Sequence, residues 1–269
     1  MDTRKEPPVT LNTLREMKRK GEKFVCLTAY DASFAAILEQ TGVDVVLVGD
    51  SLGNVIQGRD TTLPVTMEDM IYHARNVARG CGRMLRMVDM PFMSYATPAQ
   101  ALDNAARLMR EGAAQMVKLE GGAILVEVVR HLAERGIPVC AHLGLRPQSV
   151  HKLGGYRVQG RDPEAARAMA EDARALQAAG ADVLLLECVP AALARDITQS
   201  LEIPVIGIGA GPDCDAQVLV LYDMLGITPG RRPKFSRNFM TGVDSVAAAV
   251  AAYVQAVRSG AFPGPEHVF

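Results

Sequence analysis

A parallel (β/α)8 barrel is the fold this sequence predicts, on three observations. Strand-like and helix-like segments alternate from residue 24 onward, the pattern of parallel strands joined by crossover helices. Runs such as Val45-Val46-Leu47-Val48 and Val183-Leu184-Leu185-Leu186 are apolar at every position, as strands covered on both faces are. The chain has 269 residues, close to the ~250 that one such barrel takes. A single barrel domain over residues 1–269 is therefore expected.

The elements follow in order. Leu11, Leu14 and Met17 share one face of a short basic helix, placed to plug the N-terminal end of the barrel. Seven apolar runs come next, each ending in a polar or glycine-marked tip: 24–31, 44–51, 84–89, 114–120, 138–142, 182–187 and 203–209. Between them, Thr97-Pro98-Ala99-Gln100 has capping-box spacing with Pro at the first helical position. Asp162-Pro163-Glu164 opens an Ala-rich helix that ends near Gly180. Gly112, Gly136 and Gly180 are placed as helix C-caps. Val218–Tyr222 is the candidate eighth strand and reads equally as helix. A doubly wound open sheet is the alternative architecture, although Tyr30-Asp31-Ala32-Ser33 occupies the turn where its GxGxxG fingerprint would stand. Two long Gly-bearing connections, 52–65 and 143–161, leave C-terminal strand ends, where binding loops and lids sit.

Composition narrows the function classes. With 29 basic and 30 acidic side chains the formal net charge is −1, which gives no general attraction to nucleic acid or an anionic membrane. The clusters Lys18-Arg19-Lys20 and Arg231, Arg232, Lys234, Arg237 read as solvated surface. Five dispersed cysteines without a CxxC pair predict free thiols in a reducing, cytoplasmic setting. The polar start of the chain has no apolar signal segment, and no run approaches the ~18 apolar residues of a membrane span.

In a barrel the polar tips converge on one rim, and strand alternation tests which of them face the axis. Side chains at i and i+2 share a face, so Lys118 and Glu120 point together. Asp50 shares its face with Val48 and Val46, Asp89 with Met87 and Leu85, and Glu187 with Leu185 and Val183. Apolar layers topped by one ionisable group are the arrangement of a barrel enzyme. Asp50, Asp89 and Glu120 suggest a hard-cation site, because Mg²⁺ takes one or two carboxylates and completes its shell with water and substrate oxygens. Asp50 taken alone reads equally as a helix N-cap.

Glu187 is flanked by apolar residues, which raises a carboxyl pKa in the direction a general base near neutrality needs. The other reading is a carboxylate salt-bridged to Lys118 or an Arg. His142 reads as either a hydrogen-bonding residue or a catalyst. The Gly207–Gly211 stretch is explained as well by close packing as by a ligand. By parity Arg86 points toward the helices, its stem lying along apolar surface or its head pairing with an acid.

Several strings together resemble the ketopantoate hydroxymethyltransferase family. They are Val48-Gly49-Asp50-Ser51-Leu52-Gly53-Asn54, Asp89-Met90-Pro91-Phe92-Met93-Ser94-Tyr95, Val117-Lys118-Leu119-Glu120-Gly121-Gly122, Ala141-His142-Leu143-Gly144-Leu145, Gly154-Gly155-Tyr156, Leu186-Glu187-Cys188-Val189-Pro190 and the Gly207–Gly211 stretch. The match runs in order from about Thr10 to His267; Arg83, Arg86 and Arg146 depart from it. The resemblance implies a barrel of the phosphoenolpyruvate/pyruvate-binding type assembled as a homo-oligomer, typically a decamer. It implies one Mg²⁺ per subunit at Asp50, Asp89 and, through water, Glu120. The 2-oxo acid would contact Asp50, Ser51, Asp89 and Lys118, with Glu187 as base and His142 in support. It also implies 5,10-methylenetetrahydrofolate as one-carbon donor to 3-methyl-2-oxobutanoate, with ketopantoate passing to pantothenate and coenzyme A synthesis.

Two other readings compete. One is a metal-dependent or Schiff-base 2-oxo acid lyase or aldolase on the same barrel, with Lys118 forming an imine if its pKa were lowered. The other is a non-catalytic 2-oxo acid binding protein.

Overall fold

The computed structural model describes residues 7–230 and 232–269. Residues 1–6 of the polar start and Arg231 of the second basic cluster lie outside them. Eight parallel strands close into a barrel in chain order, β1 to β8: Phe24–Thr28, Val45–Val48, Leu85–Asp89, Met116–Glu120, Val139–Gly144, Val183–Glu187, Val205–Ile208 and Ala216–Leu219. The closing pair is β1 with β8, Phe24 facing Ala216 and Leu27 facing Leu219. Closure removes the open-sheet alternative.

The helices are α1 Leu11–Lys20, α2 Ala32–Thr41, α3 Leu52–Val55, α4 Met67–Gly80, α5 Pro98–Gly112, α6 Val126–Ala133, α7 Val150–Leu153, α8 Pro163–Ala178, α9 Ala191–Ser200, α10 Leu221–Leu225 and α11 Val246–Arg258. The Ala-rich α11 packs on α2 and β1, and its buried Tyr253 donates to a carbonyl, Cys26 O at 3.0 Å. Helix α1 does plug the bottom. Arg15 pairs with Asp182 at 2.6 Å and Lys18 with Asp215 at 2.7 Å, each acid standing one residue before a strand begins. Lys18 is thus a half-buried anchor and not part of a solvated face.

Several expectations need correction. The eighth strand is Ala216–Leu219, and residues from Leu221 onward are helix. Gln217 hid its start: this polar side chain is buried inside the strand because its Nε2 donates to Gly211 O at 3.0 Å. The C-cap of α5 is not Gly112, its last residue, but Ala113, which takes a left-handed φ of 56°. Gly112 is there for space, since a Cβ would meet the Ala74 Cβ at 3.1 Å. Thr97 caps α5 as expected, but Gln100 Oε1 reaches back to Ala96 N and not to the cap residue. The long connections are partly helical, holding α3 and α7. Among the described residues Arg86 finds no acid partner; its Nε donates to Ala113 O at 2.8 Å.

All five cysteines are free and buried. Among the described residues no helix is long and apolar enough to cross a membrane.

Candidate active site

The strand ends place the predicted residues around one cavity of about 570 Å³ at the C-terminal rim. Asp50, Ser51, Asp89, Lys118, Glu120, His142 and Glu187 all line it. The two long connections reach it as well, through Asn54, Val55 and Asp60 and through Tyr156 and Val158.

Its floor is a buried charge cluster. The Lys118 ammonium lies 3.0 Å from Asp89 Oδ1 and 3.9 Å from Glu120 Oε1. The register explains the proximity, since Asp89 faces Lys118 across β3 and β4 and Glu120 faces His142 across β4 and β5. Burial alone would depress the lysine pKa, but Asp89, Glu120 and Asp50 outweigh it and hold the ammonium charged. Asp89 Oδ2 accepts from Asp50 N at 3.0 Å. Its Oδ1 is buried, and its contact is the ion pair with Lys118.

Burial, together with the charge of Asp89, lifts the Asp50 carboxyl to about 7. Burial likewise raises Asp89, against the pull of Lys118, and raises Glu120 strongly. Asp50 is no helix cap. Ser51 stands at that position without a side-chain cap bond, and Asp50 Oδ2 accepts from Gln148 Nε2 at 2.8 Å.

Glu187 sits across the cavity at the end of β6. Among the described residues it forms no salt bridge with Lys118 or an arginine; its near neighbour is His142, Nε2 to Oε2 at 3.4 Å. Burial raises its pKa to about 8, with Lys118 opposing and Asp50 adding to the shift. The other ring nitrogen of His142, Nδ1, lies 3.1 Å from Lys118 Nζ. Burial and the positive charges of Lys118 and Arg146 push the imidazole pKa well down, so the ring is neutral. His142 therefore links the lysine to the carboxyl expected to act as base.

Some sequence features find other uses. Asp31 caps α2, accepting from Ser33 N and Phe34 N, while the Tyr30 hydroxyl hydrogen-bonds Ser51 Oγ at 2.9 Å. In the glycine stretch, a Cβ on Gly207 would meet Cys214 Sγ at 2.8 Å, so packing accounts for that glycine. Gln148, Tyr95 and Asp223 were not foreseen. Gln148 lies in the second long connection, whose length was the only sequence signal for it. Asp223 is a buried acid of α10 on the cavity wall.

Among the described residues no three His, Cys, Asp or Glu side chains form a ready metal-holding group. Lys118 occupies the space between Asp89 and Glu120. The donors instead fit a hard cation that takes one or two carboxylates and fills its remaining positions with water and substrate oxygens.

Comparison with known proteins decides the family. The sequence model for ketopantoate hydroxymethyltransferase matches residues 8–265. The chain belongs to that family. A 3-methyl-2-oxobutanoate hydroxymethyltransferase of Nitrosococcus oceani is 66% identical over 95% of this chain and 97% of its own. That of Alkalilimnicola ehrlichii is 66% identical over 97% and 95%. Among solved structures, a 2,3-dimethylmalate lyase of the PEP mutase/isocitrate lyase superfamily covers 94% of this chain and 98% of its own at TM-score 0.59. At 19% identity that likeness carries the fold alone, a (β/α)8 barrel.

Proposed function

We propose that this protein is the family's hydroxymethyl transferase, converting 3-methyl-2-oxobutanoate to ketopantoate with 5,10-methylenetetrahydrofolate as donor and with Glu187 as base. The observation that carries the reading is Glu187 itself: a largely buried carboxyl, its side chain 15% exposed, raised to about 8 opposite a carboxylate–lysine cluster in one cavity. A base tuned close to the working pH transfers protons best and contributes roughly 10²–10⁴-fold. That is about 3–5 kcal/mol of the ~8–23 kcal/mol that enzymes supply, so positioning and charge must provide the rest.

Asp50 and Asp89 would hold Mg²⁺, with Glu120 reaching it through water, and the ion when bound would acidify the C3–H bond of a chelated 2-oxo acid. Lys118 neutralises negative charge on the substrate oxygens, and Ser51 and Asp50 orient the acid. Glu187 takes the C3 proton. The donor methylene then gains one bond to the enolate carbon and one to a water oxygen while both of its bonds to folate nitrogens break; the C3 proton and one water proton end on those nitrogens, giving tetrahydrofolate. The long connections over the cavity exclude bulk water from the enolate. We place this chemistry in one catalytic domain over residues 1–269, in a cytoplasmic homo-oligomer of decameric type whose ketopantoate feeds pantothenate and coenzyme A synthesis. Exposed Tyr72, Phe92 and Met93 offer apolar surface for such contacts.

The test is isotope exchange. Protein with Mg²⁺ exchanges the C3 proton of 3-methyl-2-oxobutanoate with D₂O, and Glu187→Gln abolishes the exchange. Exchange that persists in the variant removes Glu187 as the base.

A further inference from the structure

Gln148, in the connection between β5 and α8, is buried, and every polar atom of its side chain is engaged. Its Nε2 donates to Asp50 Oδ2 at 2.8 Å and to Met90 O at 2.9 Å. Its Oε1 accepts from the Tyr95 hydroxyl. Its backbone N–H donates to Glu120 Oε2 at 3.0 Å. Tyr95 Oη in turn accepts from Glu120 N at 3.3 Å.

These directions are forced. A carbonyl oxygen only accepts, so reversing the amide would set its oxygen against Met90 O and leave Tyr95 facing an NH₂ group. The bonds thus close a circuit from Glu120 N–H through Tyr95 and Gln148 back to the Glu120 carboxylate. Asp50 is tied on by the second amide hydrogen. One oxygen of each acid is committed to the loop, Asp50 Oδ2 and Glu120 Oε2, and Asp50 Oδ1 and Glu120 Oε1 are left to face other partners.

We infer that Gln148 is a positioning residue: it sets the orientation of Asp50 and Glu120 for the cation and couples that orientation to closure of the 143–161 connection over the cavity. This rests on the proposed roles of Asp50 and Glu120. The strand framework fixes where those carboxylates begin, but only a partner with two amide hydrogens and a carbonyl serves Asp50, Met90 O and Tyr95 together. A residue that merely glued the loop down would affect stability alone. A positioning residue affects cation affinity, and removal of such supporting partners typically costs about 10–100-fold.

The experiment measures Mn²⁺ binding to the purified full chain by electron paramagnetic resonance, without substrate. Gln148→Met keeps the side-chain length and removes all three side-chain bonds. It is expected to weaken Mn²⁺ binding by about 10–100-fold and to slow C3 exchange at saturating substrate. Tyr95→Phe removes the bond that orients the amide and the weaker one that Glu120 N donates, but it leaves the amide's bonds to Asp50 and Met90 O, so it should shift affinity in the same direction by less. Because both act through one circuit, the double variant should bind no worse than Gln148→Met alone. Should Gln148→Met fail to fold, Tyr95→Phe alone decides, by its smaller shift in the same direction. Wild-type Mn²⁺ affinity in the folded variants overturns the inference and leaves the proposed function standing. A wild-type protein that neither binds Mn²⁺ nor exchanges the C3 proton overturns both.

Discussion

The Lys118 ammonium approaches His142 through Nδ1, at 3.1 Å, and this contact fixes the histidine's tautomer. An ammonium only donates, so Nδ1 carries the lone pair and the neutral ring carries its proton on Nε2. Nε2 lies 3.4 Å from Glu187 Oε2 without forming a hydrogen bond in the substrate-free protein. A polarised row thus runs from Asp89 on β3 through Lys118 and His142 to Glu187 on β6. The distance is long for a hydrogen bond, as catalytic contacts without substrate often are.

Activity should follow the ionisation of Glu187. A base must be deprotonated, and burial places its pKa at about 8, up from an ordinary 4.5. The ascending limb of the C3-exchange rate should lie in the mildly alkaline range. His142→Asn removes the Nε2–H donor that favours the carboxylate, so it should lower the rate and move that limb to higher pH. A profile in which neither variant nor wild type rises between pH 6 and 9 would exclude a titrating carboxyl base.

The same shift has a cost in stability. Between about 4.5 and about 8 the folded metal-free protein holds a proton that the unfolded chain has released. Stability therefore falls as pH rises across that window. Glu187→Gln escapes the penalty. It should match wild type near pH 4 and exceed it above pH 8 by a few kcal/mol, on the order given by linkage. Denaturant titrations at the two pH values check the sign.

Lys118 should matter to folding as much as to substrate. It lies within 4 Å of two buried carboxylates, and Lys118→Met leaves them uncompensated. Breaking one side of a buried pair costs about 3–5 kcal/mol, so the variant's thermal midpoint at pH 8 should drop and partly recover at lower pH as the acids protonate. Because those acids hold the ammonium charged, borohydride with 3-methyl-2-oxobutanoate should trap no adduct on the wild-type lysine. A trapped adduct would favour the Schiff-base lyase reading.

Cation binding should release protons. The Asp50 carboxyl lies at about 7 and Glu120 is raised strongly, so near neutrality part of the cluster is protonated, whereas a carboxylate binds Mg²⁺ only when ionised. Calorimetric titration with Mg²⁺ in buffers of differing ionisation enthalpy should show proton release at pH 7, and affinity that strengthens as pH rises. Buffer-independent heats would contradict the raised pKa values.

Much of this site was legible because strand parity is a strong constraint. Once Leu119 is assigned to the helix-facing side, Lys118 and Glu120 must share the interior, and the closed barrel brings Asp89 beside them. Gln148 and Tyr95 were not legible, because they reach the site from irregular connections where no period fixes direction. Gln217 shows the converse failure: a buried hydrogen bond to Gly211 O let a polar residue sit within a strand that apolar periodicity placed two residues too late.

Gly144 supplies the last prediction. It ends β5 with φ 91°, a region that side chains rarely adopt, and a Cβ there would run into the Glu187 carbonyl oxygen. Glu187 O also accepts from Leu145 N at 2.8 Å, so this backbone join holds the end of β6, and with it the base, against β5. Gly144→Ala must either distort the turn or push the Glu187 peptide away. Both act on the position of the carboxyl relative to His142. The variant should lose exchange activity by at least about 10²-fold, since misplacement of about 1 Å at a reacting group costs that much. Its Mn²⁺ affinity should change less, because Asp89 ends β3 and Asp50 follows β2 across the barrel, and only the bonds of Gln148, four residues on, carry the disturbance to the acids. Equal losses of exchange and Mn²⁺ binding would mean that the substitution disorders the whole rim.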